Sequence, residues 1–230
     1  MIDRRHAFLL TLVGTTIALR GTGLAQSAAN QWFAVRGDDG HPVPNTRAPV
    51  ELVEEIEDLR GAIWSGPASA SVKLVEFYDY NCPWCRAAEA AREELRKTRP
   101  DLRIGLVHNP ILSPASAQAA KVDLAVLLTK GAGASYKLHR KLFSQPGRID
   151  GPRALDAAAS LGHSRDEIEQ AADSTEVAKL LGEDMRLAAS LGLSATPSYV
   201  VGGAAVLGFP GPKSLTGMVD ATALCGTIAC

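Results

Sequence analysis

Two cysteines separated by two residues, Cys82 and Cys85 in the run Cys-Pro-Trp-Cys, stand where a buried strand gives way to a helix. Few sequence features restrict a fold more. Upstream, SVKLVEFYDY (71–80) puts Val72, Leu74 and Tyr78 on one face of an extended chain and Val75 and Phe77 on the other. Such a strand is covered on both sides, which predicts the centre of a sheet. Asn81 breaks it, and a helix is expected from Pro83 to about Thr98, with Ala87, Ala88, Ala91 and Leu95 inward and Pro100 ending it. Leu102 to Val107 reads as the next strand. The result is a βαβ unit with the cysteine pair at its first turn.

That position dictates chemistry. Unpaired N–H groups and the helix dipole at a helix N-terminus stabilise a thiolate, so Cys82 is expected to be the nucleophile. Pro83 suits the first helical position, having no N–H to leave unsatisfied and a φ that is already helical. Cys85, one turn inside, is expected to resolve a mixed disulfide. Two rival readings are a zinc site, for which Cys225 and Cys230 would complete four thiolates, and a purely structural bridge. The strand-to-helix setting favours redox over a zinc knuckle, and so short a loop gives a bridge little entropic value. Glu76 shares a face with Val72 and Leu74, so its carboxyl is expected half-buried with a raised pKa, able to carry the proton of Cys85. Its alternative is an exposed carboxylate paired with Lys73. His108, just past the second strand, reads as structural.

The rest of the chain is organised around this unit. Arg4 and Arg5 precede an apolar stretch from Ala7 to Leu19, and small residues lead to an expected cleavage after Ala25. The stretch is roughly 13 residues, short of the roughly 20 a spanning helix needs, so residues 1–25 are read as a signal peptide, by the general or the twin-arginine route. Export places all four cysteines in an oxidising compartment. Residues 26–66 are read as a leader, loose over 26–45, with an amphipathic helix over 49–63 whose Val50, Val53, Ile56 and Leu59 either pack on the main domain or form an oligomerisation arm. Between about 115 and 191 only helical segments recur, with Ser164 and Ser174 placed as caps. Two short strands, Ser198 to Val201 and Ala204 to Leu207, flank Gly202 and Gly203, and a closing helix runs from about Lys213 to Thr222. Residues 225–230 form a cysteine tail, in which Cys225 and Cys230 are expected to make a local structural disulfide. With 230 residues, 24 basic against 25 acidic, and no dense Lys/Arg run, one main domain is expected and nucleic acid is not a partner.

Three segments carry a resemblance. VEFYDYNCPWC (75–85) resembles the active-site strand and turn of the bacterial DsbA family, LSATPSYVVGG (193–203) is similar to its cis-proline loop, and LRIGLVHNPILSPAS (102–116) to its second strand and exit loop. The resemblance spans roughly 67–222. It implies an α/β, thioredoxin-like fold with a helical insertion between a βαβ and a ββα half, the main domain covering 67–224. It matches Cys82 to the nucleophile, Cys85 to the resolving cysteine, Glu76 to a buried acid and Pro197 to the cis-proline. Thr196 precedes that proline, and with Pro83 and Trp84 these residues would face the substrate. The implied protein is a periplasmic thiol–disulfide oxidoreductase needing no metal or organic cofactor, acting on exported proteins and recycled by a redox partner that could be membrane-bound. Trp84 stands where a histidine would add positive charge, and Thr196 resembles isomerase and reductase relatives as much as oxidases, so an isomerase or reductase is the alternative within the fold. A non-catalytic thioredoxin-like binding module is the alternative outside it.

Overall fold

The structure, a computed structural model, describes residues 32–230. The signal peptide assigned to 1–25 therefore lies outside the described residues. The elements follow in the order β1 (Asn45–Arg47), α1 (Val50–Glu57), β2 (Ile63–Ser65), β3 (Val72–Tyr78), α2 (Pro83–Thr98) and β4 (Leu102–His108). Five helices come next: α3 (Pro114–Lys130), α4 (Ala132–Ser144), α5 (Gly151–Ser160), α6 (Arg165–Ala172) and α7 (Thr175–Ser190). The chain closes with β5 (Ser198–Val201), β6 (Ala204–Leu207) and α8 (Pro212–Cys225). All strands join one sheet in the order β1-β6-β5-β3-β4-β2. Among the described residues only β3 and β4 run parallel, joined by the crossover helix α2, while β5 pairs antiparallel with β3 and with β6.

The alternation in β3 sorts its side chains as the sequence implies. Val72, Leu74 and Tyr78 join a core with Ile104 and Leu106 of β4 and with Leu215, Met218 and Val219 of α8. Val75 and Phe77 join another on the opposite face, with Val107, Val200, Ile56 of α1 and Leu187 of α7. Full coverage of both faces makes the centre of the sheet a rigid base for whatever sits at its C-terminal end. Hairpin β5–β6 turns at Gly202 and Gly203, whose φ of 53° and 70° suit the mirror-image turn that matches strand twist. The caps anticipated at Ser164 and Ser174 form, their hydroxyls accepting from the N–H of Glu167 and of Val177.

Three expectations need correction. Residues 32–45, within the stretch expected to be loose, pack on the sheet. Asn45 is buried, exchanges hydrogen bonds with the backbone of Phe33 (2.7 and 2.9 Å) and lies in β1 against β6. Asp38 accepts from the N–H groups of Lys213 and Ser214 at 3.0 and 2.8 Å, capping α8 from a distance in sequence. Gly211, at φ 94°, leaves room for that carboxylate: a Cβ there would fall 2.5 Å from Asp38 Cγ. Polar residues that read as loop therefore make specific bonds.

The helix expected over 49–63 stops at Glu57, because Ile63 is taken up by pairing with Leu106 in β2. Ile56 and Leu59 are buried within this chain, beside Leu187 and Leu191. In α2, Ala87 is exposed, and the inward stripe is Cys85, Ala88, Arg92 and Leu95. Helical periodicity puts position 92 on that stripe whatever its charge.

Candidate functional site

The site grows out of the turn between β3 and α2. Asp79 accepts hydrogen bonds from the N–H of Asn81 (2.7 Å) and of Leu112 (3.0 Å), closing the turn against the loop after β4. Asn81 then ties three segments together: its amide donates to Ser116 Oγ and to the Ile149 carbonyl, and its oxygen accepts from the Ile149 N–H at 2.7 Å. On this knot Cys82 takes the N-cap position of α2, with extended φ of −84° and ψ of 120°. Pro83 follows at the first helical position.

Cys82 Sγ accepts from the Cys85 N–H at 3.4 Å and lies 3.0 Å from the Thr196 carbonyl oxygen, to which its thiol can donate. Its pKa is lowered to about 6, first by the Cys85 thiol beside it, against burial, and further by the backbone N–H groups of Cys85 and Trp84. The opposite holds for Cys85: burial, then its bond to Cys82, then the charge of Glu76 push its thiol far upward. Both cysteines are free thiols. Thr196 and Pro197 are joined by a cis peptide bond, and the Thr196 carbonyl oxygen lies against Cys82. Trp84, by contrast, is 64% exposed.

Glu76 is fully buried, more than the half-burial expected. Oε2 accepts from Arg92 Nη1 at 3.0 Å, and Oε1 has no partner. Burial holds the carboxyl above the ordinary range despite Arg92. Lys73, the alternative partner, instead pairs with Glu57. Cys225 and Cys230 are bonded to each other, with Cα atoms 6.2 Å apart. They lie outside this site, and among the described residues no group of three or more His, Cys, Asp or Glu side chains is arranged to hold a metal.

Residues 73–221 match the family model of the DSBA-like thioredoxin domain. The chain belongs to that family. A thioredoxin-like oxidoreductase from Silicibacter pomeroyi is 31% identical with a TM-score of 0.67, over 74% of this chain and 98% of that one. The thiol-disulfide exchange protein alpha-DsbA2 of Wolbachia pipientis, at 23% identity and a TM-score of 0.66, covers 74% of this chain and 93% of its own, and shares the fold. A Na(+)/H(+) antiporter NhaA from Herminiimonas arsenicoxydans is 26% identical over 226 residues, which is 95% of this chain and 33% of that protein. The chain thus spans a third or less of the length of the curated relatives it matches, 33%, 26% and 23%. Among the described residues no helix is long and apolar enough to cross a membrane.

Within this DSBA-like frame a set of buried groups extends away from the thiols, and sequence reasoning missed most of it. Arg92 Nη2 donates to Glu89 and, at 2.7 Å, to His139 Nε2. A guanidinium can only donate, so Nε2 must accept and the ring proton sits on Nδ1. That nitrogen is 3.2 Å from Tyr80 Oη, and the Tyr80 hydroxyl donates to Asp123 Oδ2 at 2.6 Å. His108 Nε2 reaches the same carboxylate at 3.1 Å and Tyr78 Oη at 2.8 Å. The only signals available were the register of β3 against β4, which sets Tyr78 beside His108, and the helical phase of Arg92.

Proposed function

We propose that this chain is a periplasmic thiol–disulfide oxidoreductase that exchanges disulfides with exported polypeptides through Cys82. The observation that carries this reading is the Cys82 sulfur at the N-cap of α2, its pKa lowered to about 6, directly beneath the carbonyl that precedes the cis-proline. At neutral pH such a group is largely thiolate, the form that attacks and the form that leaves easily. In the oxidising direction a client thiolate attacks Cys82 in the Cys82–Cys85 disulfide. The bond between the two enzyme sulfurs breaks and its electron pair goes to Cys85, which takes up a proton. A second client thiolate then attacks the mixed disulfide and releases Cys82 as thiolate, so the client loses two electrons and the enzyme gains them.

Glu76 is proposed as the carrier of the Cys85 proton. Its uncommitted Oε1 and its raised pKa support that role, as does a charge close enough to help keep Cys85 protonated. The backbone around Thr196 and Pro197 would receive an extended client segment as an added strand, with Pro83 and Trp84 beside it. A redox partner recycles the pair, no metal or organic cofactor takes part, and Cys225–Cys230 serves as a structural bridge.

One observation favours a less oxidising member of the fold. Trp84 brings no positive charge, so the thiolate is stabilised less than in the strongest oxidases. Equilibration of the Cys82/Cys85 pair with glutathione is expected to give a potential between about −120 and −270 mV. A more negative value sinks the oxidase direction and leaves a reductase. Cys82→Ser is expected to abolish exchange with a peptide dithiol and with insulin; unchanged rates would make the chain a binding module.

A further inference from the structure

Beside Cys82 the surface opens into a cleft of about 700 Å³, lined by Asn81, Pro83, Arg86, Leu112 and Arg148 among others. Its walls are the start of α2, the loop after β4, and the loop between α4 and α5. Two guanidinium groups clamp that last loop. Arg86 Nη1 donates to the carbonyl oxygens of Phe143 and Gln145, and Arg153 donates to the Arg148 carbonyl at 2.7 Å and to Gln145 Oε1 at 3.4 Å. Every one of these acceptors is neutral, so the positive charge is positioned without being cancelled.

The acids nearby are committed elsewhere. Asp79 accepts from two backbone N–H groups, Asp150 caps α5 by accepting from the Arg153 N–H, and Asp156 pairs with Arg165. Among the described residues no carboxylate lines the cleft, whereas Arg86 and the exposed Arg148 do. The chain as a whole carries a formal charge of −1, so this concentration of cations at the thiol is local. Leu112, which lines the cleft and is 52% exposed, adds an apolar border suited to a polypeptide.

We propose that this cleft selects client segments with an aspartate or glutamate near the reacting cysteine, the carboxylate pairing with Arg148 and Arg86. The assignment rests on the redox reading above. An exposed ion pair of this kind raises the rate mainly through steering and modest pairing, so the expected preference is about five-fold at low salt. It shrinks as salt screens charges separated by more than a few ångströms.

The test is a single-turnover oxidation of two peptide dithiols by the oxidised full chain, identical except that one carries aspartates and the other lysines beside the cysteine. The aspartate peptide is expected to react about five-fold faster at low ionic strength, with the ratio falling toward one in high salt. Arg148→Glu, a change at an exposed loop position, is expected to invert the ratio. Because the readout is a ratio, a general change in thiolate reactivity cancels. Equal rates in the wild type, or a ratio unmoved by Arg148→Glu, overturn the cleft assignment while the redox reading stands. If neither peptide reacts, both fall.

Discussion

Arg92 shows how much one side chain can organise. Fully buried, it compensates Glu76, reaches Glu89 and fixes the tautomer of His139. Removing one partner of a buried pair leaves the other charge without compensation, so Arg92→Met is expected to cost about 3–5 kcal/mol in urea unfolding of the oxidised protein. Adding Glu76→Gln should restore part of that loss, since the amide needs no counter-charge. A double variant no more stable than Arg92→Met would mean that Glu76 is not the group Arg92 compensates. Glu76 was legible in the sequence because period-2 alternation places it beside Val72 and Leu74. Arg92 was not, because charge in a helix reads as outward, and only the 88, 92, 95 phase opposes that reading.

The central elements were legible and the peripheral ones were not. β3, α2 and β4, and the hairpin β5–β6, have enough residues to display a period, and each forms close to where the pattern puts it. β1 and β2 are three residues each, too short for any alternation, and are defined by their partners in space. The edge pairing of β2 also explains a glycine inside a strand. Trp64 sits opposite Gly105, its ring lies where a Cβ on Gly105 would fall (2.7 Å from Cζ3), and Arg103 stacks on the ring 4.2 Å from its centroid. Gly105→Val is expected to displace the indole and destabilise the fold by about 1–3 kcal/mol. Thermal unfolding together with tryptophan emission checks this. A shift in emission without loss of stability would show that the edge adapts freely.

At the scale of the molecule, the buried polar groups couple the helical insertion to the sheet and give stability a pH dependence. Burial alone would lower the pKa of His108, but the hydrogen bond to Asp123 and the negative charges of Asp123 and Asp184, the latter 3.7 Å from Nδ1, raise it to about 9. Tyr78 also faces this imidazole, and His139, held neutral chiefly by burial, lies close enough to act on it. Because the folded pKa exceeds the ordinary value near 6.5, the stabilisation is fully present below about pH 6.5 and is lost as pH rises through about 9. In the oxidised protein, where neither active-site cysteine titrates, the melting temperature should fall across that window. His108→Gln should flatten the fall; an unchanged slope would assign it to other groups.

The two outermost strands have a further meaning for a chain that would handle unfolded polypeptides. Backbone groups along a bare sheet edge invite any extended segment to pair, and a client protein is rich in such segments. Here the sheet ends on both sides in a strand of three residues, and the outer side of β1 is met by the Trp32 N–H bonding to the Asn45 carbonyl at 2.9 Å. A visiting strand would find little to bind at either border, which under the proposed function would direct an extended client to the cis-proline loop above Cys82 instead.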